Sequence, residues 1–313
     1  MSATAAVRVA ERTRPVVDTE RGHRLRLRGL YVLAVAINLA IFIYGFDYYK
    51  LSVMDRPFSP KHHLLRPSGT IGLYLGFLGV ALFVGIFLYP IRKHWAWLGQ
   101  IGKTRHWLDI HVLMGLTAPF IIAFHSTLKF HGIAGVAFWI MFAVSASGVV
   151  GRYLYAQIPR RVTTAELSMK ELQELQENLS RELTSQRVLP EADLRALLRM
   201  PNAQQVGRLP IPIALVYMMI LDIIRMFGVA RLRRHASGEF FRTFFGFFPT
   251  RHRELEKAIR AAAEEAALSK RLLFLSRSQK VFHLWHVVHK PFSYAFAVLA
   301  MLHIGLQFVL GYF

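Results

Sequence analysis

The chain has 313 residues, 54% of them hydrophobic, and a mean hydropathy of +0.33, yet it carries 39 Lys+Arg against 19 Asp+Glu. A soluble domain that basic is rarely that apolar, so the composition points to membrane spans joined by cationic loops. Cysteine is absent, which excludes thioether-attached haem, cysteine-ligated iron–sulfur clusters, disulfides and thiolate-bound zinc; any metal chemistry must use histidine, methionine, oxygen ligands or a bound cofactor.

In chain order, Met1–Arg28 is basic and shows no apolar core followed by a small-residue cleavage site, so no removable signal peptide is expected. Five apolar runs follow: Gly29–Tyr48, Gly69–Tyr89, Trp107–Leu128, Ile133–Tyr155 and Phe282–Tyr312. Each reaches the roughly 20 residues needed to cross a hydrocarbon core. A sixth stretch, Ile211–Val229, is also apolar but contains Asp222 and Arg225 and follows Pro210 and Pro212. Charges inside a span are costly, so this stretch is expected to lie at the interface or in the cytoplasm.

The segment between the fourth and fifth runs has its own pattern. Thr163–Gln186 reads as a capped amphipathic helix, Pro190–Arg199 as a short second helix and Pro249–Ser278 as a long third. Glu239–Phe248 holds six phenylalanines and one arginine. It reads either as buried core or as an aromatic segment resting in the membrane interface beside Arg231, Arg233 and Arg234.

The expected architecture is therefore an all-α integral membrane protein, a five-span helical bundle. A basic cytoplasmic segment covers 1–28, spans one to four lie within 29–155, a cytoplasmic or interfacial helical insertion covers 156–281, and span five lies within 282–313. With five spans, 33 Lys and Arg fall on one side of the membrane and five on the other: Lys50, Arg56, Lys61, Arg66 and Lys129. The positive-inside rule then places the N-terminus in the cytoplasm and the C-terminus outside, in an inner (cytoplasmic) membrane.

Two of the spans carry histidine pairs with the same spacing: His111 and His125, then His289 and His303, each 14 residues apart. At about 100° and 1.5 Å per residue, 14 steps fall about 40° short of whole turns and rise about 21 Å. Each helix thus shows two imidazoles on one face, one near each side of a bilayer. A b haem takes an axial imidazole on each face, so two such helices provide four ligands for two haems without any covalent link. Packing or a proton relay is the competing use of these histidines.

Neighbouring residues fit the haem reading. Gly115 and Gly305 permit close approach of a flat macrocycle, and Pro119 and Pro291 are expected to kink their helices. Phe120, Phe124, Phe292, Tyr294 and Phe296 are candidates to pack on porphyrin faces or simply on lipid and core. Lys129 and Lys290, close to ligand positions, are candidates to neutralise haem propionates or to snorkel to the interface. If Ile211–Val229 does not cross, the two helices run parallel and the pairs are His111–His289 and His125–His303. If it crosses, they become His111–His303 and His125–His289. His286 is a weaker alternative to His289, and His62, His63, His94, His106, His131 and His283 border the membrane as solvated histidines or as parts of a further haem, proton or quinone site. No Gly-rich phosphate loop and no GxGxxG is present.

On His111/His125, His289/His303, the His-Lys-Pro-Phe of His289–Phe292 and the Leu-His-Ile-Gly of Leu302–Gly305, the chain resembles the di-haem b-type membrane cytochromes, particularly the ferric-reductase-like transmembrane and cytochrome b561-like families. The resemblance covers the membrane portion, about half of the chain. It implies electron transfer between a cytoplasmic donor or acceptor, a quinone and a partner on the other side. Unlike the ferric reductases, this chain has no attached flavin and nucleotide-binding domain, so such chemistry would belong to another subunit.

The expected function is thus the cytochrome b subunit of a membrane oxidoreductase complex. It would bind two haem b and exchange electrons with quinone and with flavin, iron–sulfur or c-type cytochrome partners, with membrane lipid around it and no nucleic acid among its partners. The alternatives are a stand-alone transmembrane reductase of ferric ion or oxygen, a non-redox scaffold or transporter, and a structural subunit with a single haem.

Overall fold

The computed structural model describes residues 3–158, 209–237 and 245–311, together with Leu197, Pro201 and Val206. The expected helices Thr163–Gln186 and Pro190–Arg199 lie outside the described residues, apart from Leu197, and of Glu239–Phe248 only the last four residues lie within them. Among the described residues there are eight α-helices and no strand. These are α1 (Ala3–Tyr49), α2 (His62–Leu65), α3 (Thr70–Arg92), α4 (Ala96–Gly99), α5 (Thr104–His125), α6 (Gly132–Gln157), α7 (Ile211–Ser237) and α8 (Arg253–Val309).

Six helical stretches are long and apolar enough to cross a membrane: Glu20–Tyr49, His62–Arg92, Thr104–His125, Gly132–Gln157, Pro212–His235 and Arg277–Val309. Large apolar side chains along them face outward, among them Val32, Ile43, Ile133, Val136, Ile224 and Val309. A water-soluble monomer does not expose such a surface, whereas a multi-pass membrane protein needs it. Pro212–His235 is among them, although the sequence reading discounted this stretch as a span for its charges. Those charges are partnered: Arg225 pairs with Asp222 Oδ1 at 2.8 Å, Tyr153 Oη donates to Asp222 Oδ2 at 2.6 Å, and Lys270 Nζ donates to the same oxygen. Pairing and hydrogen bonding lower the cost of holding a charge away from water.

The chain divides into two compact units, Met1–Val150 with Val288–Phe313, and Gly151–Val287. In the first, α3 and α5 are antiparallel neighbours. Arg92 at the end of α3 donates to Thr104 Oγ1 at the start of α5 (2.9 Å), and His125 at the end of α5 reaches Gly72 near the start of α3 (2.8 Å). Their close approach follows from glycine. A Cβ at Gly79 would strike Ile122, and one at Gly85 would stand 2.6 Å from Met114 Sδ. The Gly72–Gly76 spacing is the small-xxx-small pattern that lets membrane helices approach closely.

The C-terminal part of α8 runs alongside them in the direction of α5. Lys290 interacts with Lys93, the Phe296 and Phe83 ring centroids are 5.7 Å apart, and His303 interacts electrostatically with His125. A core of Tyr48, Tyr49, Leu65, Leu75, Ile121 and Phe124 closes one end of this unit, and Phe296 packs on a second cluster of Ala118, Phe138 and Met141. In the second unit, α7 and the N-terminal part of α8 share a core of Leu197, Leu232, Leu255, Ile259, Ala262 and Ala266. Arg233 and Glu256 bridge it with contacts of 2.8 and 3.2 Å.

Candidate functional site

Proline on α3 decides where His111 points. A helical carbonyl accepts from the N–H four residues on, and Ile86 has Pro90 in that position, which has no N–H to give. The Ile86 carbonyl instead accepts the Nδ1–H of His111 at 2.9 Å. Pro119 frees the Gly115 carbonyl in the same way, and Ser145 Oγ donates to it at 2.8 Å. At the other end of α5, His125 Nδ1–H donates to the Gly72 carbonyl at 2.8 Å, and its ring lies over Gly76.

His289 is fixed by a side chain. Ser147 Oγ on α6 lies 2.8 Å from the Val144 carbonyl and shares a 2.7 Å hydrogen bond with His289 Nδ1. In His111 and His125 the carbonyl partner therefore places the proton on Nδ1 and the lone pair on Nε2, and His289 is anchored through the same ring nitrogen. That is the tautomer in which a histidine serves as a metal ligand, with the Nδ1 bond fixing the ring's orientation. His303 is part-buried, within electrostatic reach of His125.

At the His111 end, the His111 ring centroid is 5.1 Å from that of Tyr89, and Lys93 Nζ stands 4.8 Å above the Tyr89 ring. The surroundings of Lys93 and the positive charge of Lys290 hold the Lys93 ammonium below the usual lysine range. Lys290, singled out in the sequence, is therefore joined by Lys93, which was not. Lys129 is exposed, beyond the left-handed turn residues Thr127 and Leu128.

A Cβ at Gly115 or at Gly305 would meet nothing within 4 Å, so both glycines border open space. The glycines that border candidate ligands are on neighbouring helices: Gly76 lies under His125, and a Cβ at Gly148 would stand 4.0 Å from His289 Cε1. The aromatic candidates divide: Phe124 is core, packed on Tyr49 at 5.4 Å, and Phe296 packs on Phe83, while Phe120, Phe292 and Tyr294 are exposed. His286 Nδ1 turns back to the Phe282 carbonyl of its own helix at 3.1 Å, and His62 meets Tyr48 Oη at 3.1 Å. His63, His94, His131 and His283 are exposed. Among the described residues no three His, Asp or Glu side chains converge on a metal-holding point; axial ligation of a planar macrocycle asks for imidazoles in pairs.

No family model, no curated protein and no solved structure matches this chain.

Proposed function

We propose that the chain is a di-haem cytochrome b subunit that carries electrons across the membrane between a quinone or cytoplasmic partner and a partner on the other side. The observation that carries this reading is the shared anchoring of His111, His125 and His289, each held through Nδ1 by a hydrogen bond to another helix, with the carbonyl partners of His111 and His125 leaving the lone pair on Nε2. Histidines kept only for packing have no need of one common Nδ1 anchor on two helices at matched 14-residue spacing.

A bound b haem would supply a one-electron carrier that takes one imidazole on each face. His125 with His303 would hold one, and His111 with His289 the other. The electrostatic contacts that tie His303 to His125, and Lys290 to the Lys93 beside His111, favour these pairs. Gly115 and Gly305 leave room beside the ligands, and Lys93 and Lys290 supply positive charge for acidic substituents at the His111 end.

The parallel course of α5 and the C-terminal part of α8 supports five crossings. Val150 and Val288 leave the first unit at the same end, because Ser147 on α6 is level with His289 on α8. The insertion then begins and ends on one side of the membrane. A crossing by α7 would need a second crossing to undo it, and residues 159–208 and 238–252 contain no apolar run of that length. The basic residues then put the N-terminus and the insertion in the cytoplasm, in an inner membrane.

Reduced-minus-oxidised spectra with haem quantitation on the purified chain test the reading. Two haems per chain are expected, with His111→Ala and His289→Ala losing one spectral component and His125→Ala and His303→Ala losing the other. A purified protein without a reducible Soret and α band refutes it, and a shared defect of His111→Ala and His303→Ala refutes the pairing.

A further inference from the structure

Five residues before His111, α5 carries another imidazole, His106, and α1 lays His23 flat against it. The two rings stack with centroids 3.6 Å apart and planes 13° from parallel. His23 is buried, with Nε2 3.1 Å from Asp109 Oδ2. His106 Nε2 is also buried and makes no hydrogen bond within the described residues; Glu20 Oε1 stands 3.5 Å from it. Glu20 accepts from Lys103 Nζ at 2.8 Å and lies 3.9 Å from Arg105 Nη1. Among the described residues, the charged and titratable groups facing the stacked pair are thus Glu20 from α1, and Lys103, Arg105 and Asp109 from α5 and the residue that precedes it.

Among these described groups two carboxylates stand against two cations, so they balance when both imidazoles are neutral. Stacking at 3.6 Å sets two imidazolium charges against each other at close range, so the pair has room for one proton and not two. His106 Nε2 is the open position. A proton added there creates an N–H beside the Glu20 carboxylate and leaves the cluster with one positive charge in excess.

Resting on the di-haem reading, we propose that the His23–His106 pair is a proton-loading site coupled to the electron that arrives at the His111 end of the molecule. Five helical residues separate His106 from His111 by about 7.5 Å along the axis. A negative charge delivered beside His111 favours the protonated pair at that range, and by reciprocity the protonated pair favours the arriving electron. A quinol or a one-electron partner protein supplies the electron. The proton comes from the aqueous side into the new N–H bond, so that the local charge is unchanged, and reoxidation returns it.

Potentiometric titration of the full chain between pH 5.5 and 9, followed in the α band, tests this. The midpoint of the component missing from His111→Ala is expected to fall with rising pH, by up to about 59 mV per unit for one proton per electron. In a variant carrying both His23→Asn and His106→Asn it is expected to be flat, with both haems retained. Glu20→Gln, which removes a counter-charge and keeps the imidazoles, is expected to move the sloping window to lower pH, and serves if the double variant does not fold. A flat wild-type profile, or a slope unchanged by these variants at full haem content, overturns the proposal. A protein without haem overturns the di-haem reading and this proposal together.

Discussion

The His125 ring that donates to the Gly72 carbonyl at 2.8 Å lies directly over Gly76, where a Cβ would stand 2.9 Å from His125 Cε1 and 3.1 Å from Nδ1. One helix of α3 thus provides both the hydrogen-bond acceptor and the empty volume that set this imidazole. Gly76→Val fills the volume and forces the ring off its acceptor. The expected outcome is a chain with one haem in place of two, missing the component that His125→Ala also loses, in a pyridine haemochrome assay. Gly76→Val with both haems intact would show that the ring can sit elsewhere and still bind.

Ser147 does for His289 what Ile86 and Gly72 do for the histidines of α5. Removing such an outer partner weakens metal binding by about 10–100-fold in general, because the ring loses its preferred tautomer and orientation. Ser147→Ala is therefore expected to release the haem of the His111–His289 pair to a haem-scavenging protein about 10–100-fold faster than wild type. Ser147→Thr keeps the hydroxyl and is expected to restore retention; equal release from Ser147→Ala and wild type would remove Ser147 from the site.

The apolar helices were legible because length and hydropathy are local properties, and the two histidine pairs because their spacing is a helical period. What the sequence hid depends on contacts between distant residues. Ser147 is 142 positions from His289 and nothing near either marks them as partners. Asp222 read as an obstacle to a buried helix because Tyr153 and Lys270 are 69 and 48 positions away. His23 fell in a segment read as basic tail, but α1 begins before the apolar run and carries His23 to Asp109. Two signals were present and unused: the Gly72–Gly76 spacing, and Pro90, which frees the carbonyl that His111 takes.

In the second unit the acid side of the stability profile depends on Glu256. Burial pushes its carboxyl up, but hydrogen bonds from Arg233, Arg260 and the Thr250 N–H more than offset this and hold it below its ordinary value of 4.5. An unfolded chain takes up this proton near pH 4.5 and the folded chain only at lower pH. Between the two values the unfolded state binds more protons, so the stabilisation is present above pH 4.5 and is lost as pH falls below it. Thermal unfolding followed by tryptophan fluorescence is expected to show this fall. Glu256→Ala, which leaves part-buried Arg233 without its carboxylate, is expected to cost up to about 3 kcal/mol at pH 7 and to flatten the acid limb. An unchanged acid limb in that variant would assign the acid sensitivity to other carboxylates.

The count of crossings rests on α7, and the absence of native cysteine makes it directly testable. Pro201 precedes α7 and Arg251 follows it. If α7 lies on one side of the membrane, Pro201→Cys and Arg251→Cys both react with a membrane-impermeant maleimide only when the cytoplasmic face is open to the reagent. If α7 crosses, one of them reacts from each face. The second outcome would also require a compensating crossing elsewhere in the insertion, because His303 lies within electrostatic reach of His125 only when α5 and the end of α8 run the same way. The same experiment with Ser68→Cys, in the short connection before α3, supplies the reference for the opposite face. Arg251→Cys labelling together with Ser68→Cys, and apart from Pro201→Cys, would overturn the five-crossing arrangement.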